Sequence, residues 1–108
     1  MKGFNGNIEE LTVQNNNFRQ VLYTAKHCQL VLMSLPVGGE IGSEVHEEND
    51  QFFRFEAGQG KVLIDGNEYA VSDGSAIIVP AGAEHNVINI GEEPLKLYTI
   101  YSPAHHKD

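Results

Sequence analysis

Four polar side chains fall at spacings that could do chemistry together. Glu44 and His46 stand two apart. On an extended strand, residues i and i+2 point to the same side, so a carboxylate and an imidazole would enter one face. Gln51 opens the next strand-like run, across the charged turn Glu47-Glu48-Asn49-Asp50, and can face them. His85 is remote in sequence, just past Pro80-Ala81-Gly82, and a sandwich of two sheets could bring it beside the first pair. Glu84 points the other way on an extended segment and stays off the ligand set. His27 lies in a turn with no role, and His105 and His106 lie in a polar tail.

Short strands must position these groups. Phe18–Lys26 is rich in β-formers. Gln29–Leu35 is nearly continuous in apolar residues, as expected of a strand buried on both faces. A second subunit over the outer face is one cause of such a run, and it predicts a homodimer. Ile41–His46 is short and extended. Gln51–Ala57 alternates so that Gln51, Phe53 and Phe55 share a face. Asp65-Gly66-Asn67, between Lys61–Ile64 and Glu68–Val71, is a strong hairpin signal. Ser75–Val79, His85–Ile90 and Leu95–Tyr101 complete the series. Val87 and Asn89 share the face of His85. About seven to nine strands with Gly, Pro and Asp turns imply an all-β sandwich or barrel. Residues 1–17 form a polar N-terminal segment, in which Ile8, Leu11 and Val13 could make a short strand or a helical turn. Residues 18–101 form the domain and 102–108 a C-terminal tail. No stretch shows a sustained 3.6-residue period.

Composition excludes several classes. The chain has 108 residues, a single domain's worth, and a formal net charge of −8. Such a surface repels phosphate backbones and anionic membranes, so neither nucleic acid nor membrane is an expected partner. No apolar run reaches the length of a membrane span. The first residues carry no apolar stretch of the signal-peptide kind, and a cytoplasmic location is the expectation. Cys28 is the sole cysteine and reads as an inert, half-buried small residue. Tyr23, Tyr98 and Tyr101 include phenols that could reach a pocket, with no assignment among them.

The spacing resembles a known family. Gly38, five residues, Glu44, one, His46, four, Gln51, six, Gly58 is similar to the first cupin motif. Gly74, five, Pro80, one, Gly82, two, His85, three, Asn89 resembles the second motif at every position. The surrounding segments FRQVLYTAKHCQLVLMSL, VHEENDQFFRFEAGQG and PLKLYTIYSP look like small single-domain cupins labelled mannose-6-phosphate-isomerase-like. The resemblance implies a jelly-roll cupin β-barrel, a double-stranded β-helix.

It also implies a divalent metal held by Glu44, His46, Gln51 and His85. Cupins usually offer three His and one Glu. Here Glu44 replaces a His and Gln51 replaces the Glu, so one carboxylate is kept and the formal charge of the ligand set is unchanged. Asp50 also fits the variable spacing, but the residue six further on would then be Ala57 instead of Gly58, so register favours Gln51. Two imidazoles, a carboxylate and an amide oxygen suit Mn, Fe, Co, Ni or Zn better than Cu(I). Such a site can polarise a carbonyl or hydroxyl oxygen. The expected function is a non-redox isomerase or lyase acting on a small sugar or keto acid, with no proton carrier assigned. A metal-dependent dioxygenase and a non-catalytic small-molecule sensor are the alternatives. Asn89 is expected to hold backbone and not substrate.

Overall fold

In the computed structural model, which describes residues 1–104, nine strands follow one helix. The helix α1 spans Ile8–Gln14. The strands are β1 Arg19–Thr24, β2 Gln29–Leu35, β3 Glu44–Val45, β4 Asp50–Ala57, β5 Gln59–Ile64, β6 Asn67–Ser72, β7 Ala76–Val79, β8 Glu84–Asn89 and β9 Leu95–Ser102. They make a five-stranded sheet of order β1-β2-β9-β4-β7 and a four-stranded sheet of order β3-β8-β5-β6. All named pairings are antiparallel. This is the expected jelly-roll sandwich. His105 and His106 lie outside the described residues. Among the described residues, no helix is long and apolar enough to cross a membrane.

Alternation builds the core. Phe53 and Phe55 on β4, Val31 and Leu35 on β2, Leu95 and Leu97 on β9, and Val62 and Val87 from the other sheet are all completely buried. Each contributes on the order of 1.5–3 kcal/mol relative to exposure. The β5–β6 hairpin turns through Asp65 and Gly66, both at positive φ (47° and 84°). A two-residue loop of this kind matches the twist of the flanking strands. At Gly58, φ is +93°, and a Cβ would lie 2.8 Å from the Pro94 carbonyl oxygen. That motif glycine is needed for backbone shape and close packing together.

The continuous apolar run Gln29–Leu35 is largely buried on both faces within the single chain: Leu32 and Ser34, on the outer side, are buried as Val31 and Met33 are, and Leu30 is half-buried. The helix α1 packs on the outer face of the five-stranded sheet, against β2, β4 and β9. A second subunit is not needed to explain the run. The helix has only seven residues, too few to establish a period. Its signal is the cap: Asn7 Oδ1 accepts from the Glu10 N–H at 3.1 Å, with acidic Glu9 and Glu10 in the first turn, where the macrodipole favours them. Cys28 is exposed, not half-buried. It lies in the tight turn between β1 and β2, closed by the Ala25 N–H donating to the Cys28 carbonyl, which leaves its side chain nothing to pack against.

Candidate metal centre

Register places the polar residues. Glu44 on β3 stands directly opposite His85 on β8. Gln51 on β4 stands directly opposite Tyr101 on β9. The two pairs belong to different sheets and meet at one end of the sandwich. His46 follows β3, and its carbonyl accepts from Gly82 N–H at 2.9 Å. Gly82 has φ +88°, so the turn that leads into His85 is tied to the segment that carries His46.

The donor atoms converge. His46 Nε2 lies 3.5 Å from Glu44 Oε1. The ligand atoms of Glu44, His46 and His85 all lie within 4.8 Å of one another, so this His/Glu cluster is able to bind a metal. The His46 and His85 rings are 5.3 Å apart between centroids. His85 Nδ1–H donates to the Ala83 carbonyl at 3.1 Å. That aims Nε2 away from the backbone and toward the cluster, which is how a backbone partner sets up an imidazole for ligation. His85 Nε2 is buried with no hydrogen-bond partner.

Gln51 is 2% exposed. Its Nε2 donates to Thr99 Oγ1 at 3.0 Å, and its Oε1 is buried without a partner. Leaving such atoms unmet costs about 1–3 kcal/mol each, so their clustering fits a ligand that accepts lone pairs. The donor chemistry, imidazole nitrogen with carboxylate and amide oxygen, fits a divalent transition metal. Asp50 is exposed and turns away, its Oδ1 accepting from Ala81 N–H at 2.9 Å. Glu84 is exposed too, and accepts from Ser43 Oγ. Asn89 holds backbone as expected, its Nδ2 donating to the carbonyls of Leu35, Pro36 and Glu93.

A cavity of about 170 Å³ adjoins the centre on the Glu44–Gln51 side, lined by Phe18, Arg19, Met33, Ile41, Glu44, Gln51 and Tyr101. Tyr101 is therefore the inward phenol. It packs edge-on against His46 at 5.6 Å. Burial pushes its hydroxyl pKa above the ordinary phenol value, and the Glu44 carboxylate adds to this, while Arg19 and Gln51 oppose it. The phenol is thus protonated at neutral pH. Tyr23 donates to the Lys2 carbonyl, and Tyr98 packs on Phe52, away from the site. Alternation from Leu95 and Leu97 was the available signal for Tyr101. Arg19 was missed altogether; its pairing with the core residue Met33 is what puts a cation on the inward face of β1.

A family model described as a cupin domain matches residues 31–101. The chain belongs to the cupin family. It is 50% identical over 111 aligned positions to the uncharacterized protein YrkC of Bacillus subtilis, covering 97% of this chain and 60% of that one. It is 43% identical over 104 positions to the uncharacterized protein L612 of Acanthamoeba polyphaga mimivirus, covering 93% and 65%. The chain thus spans about three fifths of the length of these relatives. The crystal structure of BH2720 from Bacillus halodurans superposes with a TM-score of 0.96 at 45% identity, covering 98% of this chain and 85% of that one. A cupin segment of Klebsiella pneumoniae mannose-1-phosphate guanylyltransferase is 28% identical over 68 residues, 14% of that enzyme.

Proposed function

We propose that this cupin is a metal-dependent, non-redox enzyme of isomerase or lyase type, acting on a small sugar or keto acid. Glu44, His46, Gln51 and His85 are its four ligands. The observation that carries this reading is the pair of buried, unmet lone pairs, Gln51 Oε1 and His85 Nε2, beside the Glu44–His46 pair. A bound divalent ion would polarise a substrate carbonyl or hydroxyl oxygen. Thr99 and the Ala83 carbonyl hold the Gln51 amide and the His85 ring in the orientations that ligation needs. Tyr101, protonated and facing the cavity, is a hydrogen-bond donor placed to hold a substrate oxygen. A cytoplasmic location, a small-molecule substrate and a homodimer belong to the same proposal.

Elemental analysis of the natively purified protein tests it. The expected result is manganese, cobalt, nickel or zinc near one ion per chain. Iron together with oxygen uptake moves the reading to a dioxygenase. No metal after reloading removes both enzyme readings and leaves a binding module.

A further inference from the structure

Arg19 faces inward. Its partner in the β1–β2 register is Met33, a core residue that lines the same cavity. The guanidinium shares the cavity lining with Tyr101, and its Nη2 is buried with no hydrogen-bond partner. Among the described residues no ion pair joins Arg19 to Glu44, so Arg19 is not held as a counter-ion of that carboxylate. An arginine donor enclosed in a cavity wall and left unmet is an anion-recognition element.

Charge points the same way. Arg19 and Glu44 are the charged residues among those lining the cavity. A divalent ion beside Glu44 would leave one net positive charge, and Arg19 would add a second. A doubly positive cavity in a chain of net charge −8 would favour a small anion over a neutral polyol. The cavity, about 170 Å³, is below the roughly 300–1,000 Å³ of drug-sized ligand sites. One arginine fork and one phenol suit a carboxylate. Phosphate sites commonly add further basic side chains or the N–H groups of a helix N-terminus, and the residues lining this cavity supply neither.

We propose that Arg19 and Tyr101 form a carboxylate subsite beside the metal centre, which makes the substrate a small hydroxy or keto acid. This rests on the metal reading above and narrows its substrate class. The Arg19 Nη2 N–H and the Tyr101 O–H donate to the carboxylate, leaving the neighbouring hydroxyl or carbonyl oxygen on the Glu44–Gln51 side.

Calorimetric titration of the zinc-loaded protein with glycolate, ethylene glycol and inorganic phosphate tests the subsite, with zinc content measured on each sample. The expected result is glycolate binding that weakens at least about tenfold in Arg19→Ala, is partly kept in Arg19→Lys, and far exceeds binding of ethylene glycol. Zinc content stays at the wild-type level in both variants. Equal glycolate binding by wild type and Arg19→Ala, or none by either, overturns the proposal. Tighter, Arg19-dependent binding of phosphate overturns the carboxylate assignment. If Arg19→Ala does not fold, Arg19→Gln carries the comparison. If the wild type takes up no zinc, the metal reading fails by itself. Glycolate binding by the metal-free chain then decides the subsite: dependence on Arg19 supports it, and no dependence overturns it.

Discussion

Lys96 and Gln51 are buried on opposite faces of one sheet, in the adjacent strands β9 and β4, and they are satisfied in opposite ways. Lys96 points outward, beneath the N-terminal segment. Its ammonium donates to the Asn15 carbonyl, Asn16 Oδ1 and Ser34 Oγ, one acceptor for each of its three protons. Gln51 points inward, donates to Thr99, and leaves its carbonyl oxygen with nothing. Burial alone does not separate the two. Completion does. A polar cluster that closes on itself fixes the fold, here by tying residues 15–16 onto the sheet. One that stays open at several atoms aimed at a common point is shaped for something else.

The comparison breaks most visibly at His85. In His85→Ala the centre loses an imidazole whose orientation is already set by Ala83, and metal affinity is expected to fall on the order of a hundredfold or more. Elemental analysis after dialysis should show near-stoichiometric metal in the wild type and background in the variant, with the strand content unchanged by circular dichroism. Lys96→Met should do the reverse. It removes three charge-assisted bonds and leaves buried acceptors unmet, which costs about 3 kcal/mol, while metal content holds. Denaturant unfolding reads the loss. A Lys96→Met protein that lost its metal while staying folded would mean that the two clusters are not independent.

The same contrast explains what the sequence disclosed. The two spaced motifs located the centre because backbone geometry demands their glycines, such as Gly58 against Pro94, and because strand alternation puts Glu44 and His85 into direct register. The hairpin at Asp65-Gly66 was legible from turn chemistry alone. Lys96 was not legible as a buried residue, since a lysine on the outer side of a strand ordinarily faces water. Its burial depends on α1, a helix of seven residues whose signs, the Ile8, Leu11 and Val13 spacing and the Asn7 cap, are too short to separate a helical turn from a strand. Arg19 escaped for a related reason. Nothing in a strand-edge arginine tells whether the inward parity of β1 begins with it or with its neighbour; the pairing with Met33 decides.

Gln51 is the sharper test of the centre, because Asp50 next to it is the stronger ligand type. Gln51→Ala should lower metal affinity about tenfold, since an amide oxygen is a weaker ligand than the imidazole of His85. Asp50→Ala should leave metal content alone and cost about 1 kcal/mol for the bond lost from Ala81 N–H. Metal loss in Asp50→Ala and not in Gln51→Ala would put the ligand on the opposite face of β4 from Phe53 and would require a different register from the observed one.

Glu56 gives the smallest effect and lies on the Lys96 side of the comparison, as an incomplete case. It is buried on the outer face of β4, with Oε1 making no hydrogen bond and Arg54 Nη2 at 3.7 Å. Burial raises its carboxyl pKa above the ordinary value of 4.5, more than Arg54 lowers it. A carboxyl raised in the folded state favours folding most when protonated, so stability falls as pH rises from the ordinary value through the folded one, and at neutral pH the charge is a net cost. Glu56→Gln removes that cost. The variant should be more stable at pH 7 by on the order of 1 kcal/mol. The advantage should vanish below about pH 4, where the wild-type carboxyl is neutral in both states. Thermal unfolding at the two pH values reads the difference. A gain that persisted unchanged in acid would show that packing beneath α1, and not the buried charge, sets the energy of this position.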